Sequence, residues 1–291
     1  MVKTISYLYL EARRSFRCLE GPEDPSLLAR NLLCHVTGKS PEEILAGRDL
    51  YVGDDICSAM GEAVKRVSSG EPLAYVLGEW DFYGLTLHVN PSVLIPRDDS
   101  CAVTELAIRQ ALFLDEAPRI LDLCTGSGCI GLAIASRVKD AKVTLADLSK
   151  EALNVARKNA SLHRLSGRVS CVQADAMAPA SSFLGKFDMI VSNPPYITGE
   201  EMKQLPDSVK NFEPHMALFG GDDGLKFYRS IAENYYKAIK PGGFLCFEFG
   251  MGQGDAVCEI LRDNNYTVLE RTKDFNERER AVIAQVDRKD R

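Results

Sequence analysis

The chain has 291 residues, 45% of them hydrophobic and 26% charged, with a formal net charge of −6. That is the composition of an ordinary soluble protein, long enough for one large domain or two smaller ones. The acidic balance weighs against a general nucleic-acid binder, which would carry a basic surplus.

The opening stretch has no uninterrupted apolar segment, because Glu11, Arg13 and Arg14 break it. No run reaches membrane-spanning length, so neither a secretory leader nor a membrane span is expected. Leu8, Ala12, Phe16 and Leu19 recur at helical spacing. Arg13, Arg14 and Arg17 on that helix read as a solvated face. "SLLARNLLCHV" (26–36) is a second apolar helix ending near Gly38. "SPEEIL" (40–45) is a capping box: Ser40 caps, Pro41 takes the first helical position and Glu43 reaches back. A further helix over about 54–68 stops at Gly70. The expectation is a small helical domain over residues 1–72.

"EPLAYVLGEWDFYGLTLHVN" changes the rhythm. Trp80 and Phe82 alternate, then Leu85, Leu87 and Val89, with Tyr83-Gly84 between them. A β-hairpin linker over 73–95 is expected. From residue 96 onward short apolar runs alternate with helical stretches: 119–124, 142–147, 168–173, 187–192 and 243–250. That pattern predicts a parallel α/β sheet. The runs at 266–271 and 280–285 are separated by a link too short for a crossover, so an antiparallel pair is expected there.

The cysteines number nine, an odd count with no Cys-x-x-Cys pair, which fits reduced, mostly buried thiols in a cytoplasmic protein. His35, His88, His163 and His215 show no ligand spacing, so no metal site is expected.

"LDLCTGSGCIG" (121–131) runs from a strand into a helix and carries Gly126-x-Gly128-x-x-Gly131. Glycines at this spacing let the backbone turn tightly and approach a ligand. Alone, the pattern equally suits a plain turn closing a βα unit. Asp147 ends the next strand, where a carboxylate can accept both ribose hydroxyls, and Asp175 follows the third, near where an adenine edge would lie. Together they favour an adenosine site, and both NAD and S-adenosylmethionine fit it.

"SNPPYITGE" (192–200) decides between the two. Asn193 stands at the carboxyl end of the fourth strand. Pro194 and Pro195 have no N–H, so the segment presents carbonyls, to which Asn193 adds a side-chain oxygen. Converging acceptors suit a substrate NH2, and Tyr196 can cover a flat conjugated group. Holding both N–H bonds aims the delocalised lone pair of an amide or aromatic amine at a donor methyl.

At this point the sequence resembles the class I methyltransferases, in which Asn-Pro-Pro-Tyr marks transfer to a planar nitrogen. More closely it resembles the peptide chain release factor glutamine methyltransferases, the HemK/PrmC family. The likeness covers nearly the whole chain, including "VLIPR", "ILDLCTGSGCIGLAIA", "FDMIVSNPPYI", "EPHMALFGGDDGL" and "PGGFLCFEFGMGQ".

The resemblance implies a Rossmann-like methyltransferase domain over 96–291 with a seven-stranded, mostly parallel sheet, behind a helical substrate-recognition domain and the hairpin. It implies S-adenosylmethionine as cofactor, leaving as S-adenosylhomocysteine. The implied substrate is the glutamine of the Gly-Gly-Gln loop in release factors, methylated on its side-chain nitrogen, with no membrane or direct nucleic-acid partner. Asp122 and Cys124 would lie at the cofactor. Thr125, Gly126, Ser127 and Gly128 would hold its methionine part. Asp147 with Leu148 would hold the ribose, and Asp175 with Ala176 the adenine. Asn193, which also borders the cofactor, would bind the glutamine together with Pro194, Pro195 and Tyr196, and Arg97 would lie close by.

Two departures stand out. The family usually reads Pro-Glu-Thr-Glu after "IPR", where this chain has Asp98-Asp99-Ser100-Cys101, with as many acids but shorter acidic side chains. It usually has glycine where Cys124 stands, and Cys124 is read as packing, because the transfer needs no covalent intermediate. Rival readings are a ribosomal-protein glutamine methyltransferase with the same core and a DNA or RNA amine methyltransferase. An NAD-dependent dehydrogenase would leave Asn-Pro-Pro-Tyr idle, and a non-catalytic binding module would leave both motifs idle.

Overall fold

The computed structural model describes residues 3–17, 24–114 and 117–286. Two compact units emerge: Met1–Gly78 with Asp207–Phe212, and Glu79–Pro206 with Glu213–Arg291.

In the first unit, β1 (Lys3–Thr4) leads into α1 (Ile5–Phe16), followed by α2 (Pro25–Thr37), α3 (Pro41–Ala46), β2 (Tyr51–Val52), α4 (Asp54–Ser68) and α5 (Leu73–Leu77). The apolar spacing of α1 buries Ile5, Leu8, Ala12 and Phe16 on one face; Leu19 lies outside the described residues. Asp24 caps α2, Pro25 takes its first turn, and Gly38 ends it at φ 65°. Ser40 and Glu43 form the expected capping box on α3. α5 was not expected. "LAYVL" buries four consecutive residues, so it shows no alternation of a strand, and Gly78 at φ 73° closes it as a helix.

The second unit opens with β3 (Glu79–Phe82) and β4 (Leu85–His88), paired antiparallel. Tyr83 and Gly84 both have positive φ, the turn whose twist matches a two-residue hairpin. Phe82 and Leu87 sit in the core of this unit, so the hairpin groups with the sheet.

Then come α6 (Cys101–Ala111), β5 (Arg119–Leu123), α7 (Cys129–Arg137), β6 (Lys142–Asp147), α8 (Lys150–Leu162), β7 (Val169–Gln173), β8 (Phe187–Ser192) and α9 (Gly199–Gln204). α10 (Asp207–Lys210) groups with the first unit. α11 (Lys226–Asn234), β9 (Ile239–Glu248), α12 (Gly254–Asp263), β10 (Tyr266–Lys273) and β11 (Glu279–Val286) complete the chain.

Among the described residues, seven strands form one sheet in the order β10-β11-β9-β8-β5-β6-β7. The pairs from β9 to β7 are parallel, and β11 runs antiparallel to both β9 and β10, as the short link requires. One core packs α6, α7 and α8 on one face; the other packs α11 and α12 on the opposite face. The chain reverses direction across the sheet between β5 and β8, and such a switch point opens a crevice at the strand carboxyl ends. No described helix is long and apolar enough to cross a membrane.

Candidate active site

After β5 the backbone takes positive φ at Cys124, Gly126 and Gly128 before α7 begins. The Thr125 N–H donates to the Ala146 carbonyl at 3.0 Å and fastens the loop to the next strand. A Cβ on Gly131 would fall 2.3 Å from Leu145 and 2.9 Å from Asp122, so this glycine allows α7 to lie close against the sheet. Cys124 holds φ 62° with a side chain, in a region that costs a non-glycine residue about 1–2 kcal/mol. Burial pushes its thiol well up, away from a nucleophilic thiolate.

Asp122 is 1% exposed. Its Oδ2 accepts from the Thr125 hydroxyl at 2.6 Å and the Gly131 N–H at 2.9 Å. Its Oδ1 has no partner among the described residues. Burial pushes this carboxyl up to about 7. Asp147 accepts from the Gly126 N–H and the Ser149 N–H, each at 2.9 Å, one on each oxygen. Burial raises its pKa in spite of those bonds. Asp175 accepts from the Met177 N–H at 2.8 Å, and its carbonyl accepts from the Tyr235 hydroxyl at 3.1 Å.

A cavity of about 300 Å³ brings together Gly126, Asp147, Leu148, Asp175, Ala176 and Asn193, with Cys124 and Pro195 also on its wall. That size suits a small-molecule site. The sequence placed all of Thr125 to Gly128 at the ligand, but within that stretch Gly126 alone reaches the cavity. Thr125 and Ser127 are buried beneath the loop, Thr125 on Asp122 and the Ser127 carbonyl on the Asn159 amide at 2.9 Å. Gly128 packs toward Leu132 and Leu145. Asp122 also lies behind the wall.

Asn193 donates from Nδ2 to the Ser100 hydroxyl oxygen at 3.1 Å. Its Oδ1 has no partner among the described residues, and the residue borders the cavity. The turn behind it is clamped. Ile197 N–H donates to Leu218, Gly220 N–H to Ile197 at 2.8 Å, and the Gln253 amide to the Tyr196 carbonyl at 3.0 Å. Tyr196 lines a neighbouring cavity of about 280 Å³ with Met251 and Gln253. Its hydroxyl donates to Glu248 at 3.5 Å, and burial pushes the phenol up.

Arg97 is not on the cavity wall. It pairs with the buried Glu213, whose other oxygen accepts from the Ile95 N–H at 3.1 Å. Burial still raises Glu213, outweighing Arg97. The pair anchors the start of "EPHMALFGG", whose next residues, Pro214 to Ala217, line the cavity.

Sequence reasoning missed Ser100, Glu213 and Glu248. Glu248 carried a readable signal, an acid inside the apolar run "GFLCFEFG". Ser100 did not, because its partner lies 93 positions away. Among the described residues no group of three His, Cys, Asp or Glu could hold a metal.

Residues 11–78 match the family described as PrmC N-terminal domain, and residues 104–210 the Methyltransferase small domain. A protein of Clostridium acetobutylicum called release factor glutamine methyltransferase is 35% identical over 253 residues, 87% of this chain and 88% of that protein. The chain belongs to the release factor glutamine methyltransferase family. A relative of the same name in Chlorobaculum tepidum is 37% identical over 266 residues, 89% of this chain and 90% of that protein. The solved structure of a methyltransferase from Pyrococcus furiosus has a TM-score of 0.51 at 18% identity, covering 78% of this chain and 99% of that one. That likeness shows the class I methyltransferase fold. In this chain Cys124, Gly126, Asp147, Asp175 and Asn193 line one cavity.

Proposed function

We propose that this chain methylates the side-chain amide nitrogen of the glutamine in the Gly-Gly-Gln motif of peptide chain release factors, using S-adenosylmethionine. The observation that carries the reading is Asn193: its NH2 is held by Ser100, which leaves its amide oxygen as a free acceptor at the cavity.

The residues present fit the cofactor. Each Asp147 oxygen accepts one N–H and keeps acceptor capacity for a ribose hydroxyl. Asp175, Ala176 and Gly126 line the same cavity, which supports assigning the adenine edge to the first two and a close backbone approach to the third. When bound, S-adenosylmethionine supplies an electrophilic methyl on a sulfonium.

The chain's own residues position the nucleophile. A glutamine amide nitrogen is a weak nucleophile because its lone pair is delocalised into the carbonyl. Asn193 Oδ1 and the carbonyls of the proline turn accept its N–H bonds and fix the amide plane, so that the lone pair perpendicular to it points at the methyl carbon. The benefit is orientation, with reacting atoms held about 3–3.5 Å apart. No strong base is required before attack, since a carbonyl or water takes the proton once nitrogen becomes cationic. Tyr196 holds the turn through Glu248 and Gln253, and Arg97 braces the Pro214–Ala217 wall through Glu213.

We assign release-factor recognition to the amino-terminal helical unit, since every chemical motif lies after residue 90. Its α4 and α1 carry no group of the cofactor cavity. The net charge of −6 argues against a nucleic-acid acceptor. The reduced-thiol composition fits a cytoplasmic enzyme.

The test is incubation with labelled S-adenosylmethionine and purified release factors, ribosomal proteins and DNA. Label on a release factor supports the reading. Label on a ribosomal protein or on DNA instead refutes it. In the same assay, a chain lacking residues 1–72 is expected to bind cofactor and leave the release factor unlabelled.

A further inference from the structure

The proline turn cannot tie itself down. Pro194 and Pro195 have no N–H, so no main-chain group between Asn193 and Tyr196 can donate. The turn is held from outside, by donors to its carbonyls. "FEFGMGQ" (247–253) ends on a residue that supplies one, Gln253.

Gln253 stands at the start of α12, where its own carbonyl accepts from the Val257 N–H at 2.9 Å and fixes its backbone. Its half-buried side chain reaches three separate segments. Nε2 donates to the Tyr196 carbonyl at 3.0 Å and to the Gly224 carbonyl at 3.5 Å, while Oε1 accepts from the Gly250 N–H at 2.9 Å. Glycine makes the room for it. A Cβ on Gly224 would fall 2.5 Å from Nε2, and one on Gly250 would fall 2.9 Å from Oε1 and 3.0 Å from Tyr196 Cδ2.

The polarity of this arrangement is fixed. Two carbonyls can only accept and a backbone N–H can only donate, so the amide fits one way round. Gly224 also lies in the segment whose neighbours Gly221, Lys226 and Phe227 line the cofactor cavity. One amide therefore fastens the turn that follows Asn193 to a segment of the cavity wall.

We infer that Gln253 is a positioning residue for methyl transfer, whose side-chain amide holds the Tyr196 carbonyl and through it the place of Asn193 at the cavity. This rests on the proposed role of Asn193 and the turn in holding the substrate amide. Gln253 itself lines the neighbouring cavity with Tyr196 and Met251 and not the cofactor cavity. Its loss is felt in the rate of transfer and not in the hold on the cofactor.

Two substitutions of similar length separate the bonds from the bulk. Gln253→Glu keeps an acceptor for the Gly250 N–H but turns an acceptor-only oxygen on two carbonyls, which repel it. Gln253→Met fills much the same space without an N–H donor and without a charge, so the test stands should Gln253→Glu fail to fold. Misplacing a positioning group by about 1 Å costs on the order of a hundredfold in rate, and the released carbonyl is close to Asn193 in the chain, so a loss of about tenfold or more is expected.

The experiment is single-turnover methyl transfer from S-adenosylmethionine to a release factor, with enzyme in excess and raised to saturation, for the parent, Gln253→Glu, Gln253→Met and Asn193→Ala. It separates the limiting rate constant from the enzyme concentration at half-maximal rate. A partly unfolded preparation shifts the second and leaves the first unchanged. Calorimetry gives the cofactor affinity. Both Gln253 variants are expected to lower the limiting rate constant by about tenfold or more, with cofactor affinity and half-saturating concentration close to the parent's.

A parent-like limiting rate constant in either folded Gln253 variant, while Asn193→Ala is slow, overturns the inference. A loss confined to cofactor affinity or to the half-saturating concentration would make Gln253 structural and also overturn it. If Asn193→Ala itself runs at the parent's rate, the reading of Asn193 falls first and takes this inference with it.

Discussion

Replacing Gly220 by alanine is a sharp probe of the Asn-Pro-Pro-Tyr turn, because the three atoms nearest the new methyl are all backbone. Its Cβ would lie 2.6 Å from Tyr196 Cα, 2.7 Å from the Pro195 oxygen and 2.8 Å from the Tyr196 carbonyl carbon. Ordinary contact begins at 3.4 Å, so one side must recede by 3.4 − 2.6, about 0.8 Å. None of these three atoms is a flexible side-chain end that could absorb that. The turn is also bonded to the Gly220 segment on both sides of Ile197, so a shift of one drags the other. Overpacking of this kind costs about 1–3 kcal/mol, which a domain of ordinary stability survives. The effect on rate is larger in proportion, since misplacing a positioning group by about 1 Å costs on the order of a hundredfold. Gly220→Ala is therefore expected to fold and to bind S-adenosylmethionine nearly as well as the parent, measured by calorimetry. Its single-turnover methyl transfer to a release factor is expected to fall by about 10- to 100-fold. Parent-like transfer by a folded Gly220→Ala protein would refute the claim that the turn's position governs the chemistry.

Asp147→Ala is expected to lower S-adenosylmethionine affinity by about 1.5–3 kcal/mol, tenfold or more, since it removes a charged acceptor. Calorimetry on the folded variant checks this, and unchanged affinity would remove the ribose assignment. For Asp122, burial holds the folded carboxyl at about 7, above the ordinary value of about 3.9 in an unfolded chain. Between those pH values the folded state keeps a proton that the unfolded chain has released. Its contribution to stability is thus greatest below about pH 4 and is lost as pH rises through about 7. Asp122→Asn can still accept from Thr125 and Gly131 through one oxygen. Urea unfolding of that variant is expected to show a shallower decline from pH 5 to 8 than the parent, by about 1 kcal/mol or more, and identical slopes would contradict the assignment.

Much of the fold could be read from the residues because local and global signals agree. The capping box at Ser40, the Tyr83-Gly84 turn and the short link between β10 and β11 each act over a few residues. α5 escaped because four consecutive buried residues have no period to distinguish helix from strand. Around the cavity, Asp147, Asp175 and Asn193 were legible because each stands at or just past a strand's carboxyl end, and Gly126 because the loop after β5 opens there. Thr125 and Ser127 were placed at the ligand by a motif that specifies spacing and says nothing of which way each side chain turns. Ser100 could not be joined to Asn193 in advance, since the two lie 93 positions apart in sequence.

The central claim is that Asn193 presents the glutamine amide for methylation. It is tested most directly by single-turnover reaction of a release factor with labelled S-adenosylmethionine, parent against Asn193→Ala, with the methylated atom located by fragmentation mass spectrometry. The parent is expected to place the methyl on the side-chain nitrogen of the Gly-Gly-Gln glutamine. Asn193→Ala is expected to keep much of its cofactor affinity and to transfer more slowly by on the order of a hundredfold. An alanine variant running at the parent's rate, or a methyl found on any other atom, would contradict the account.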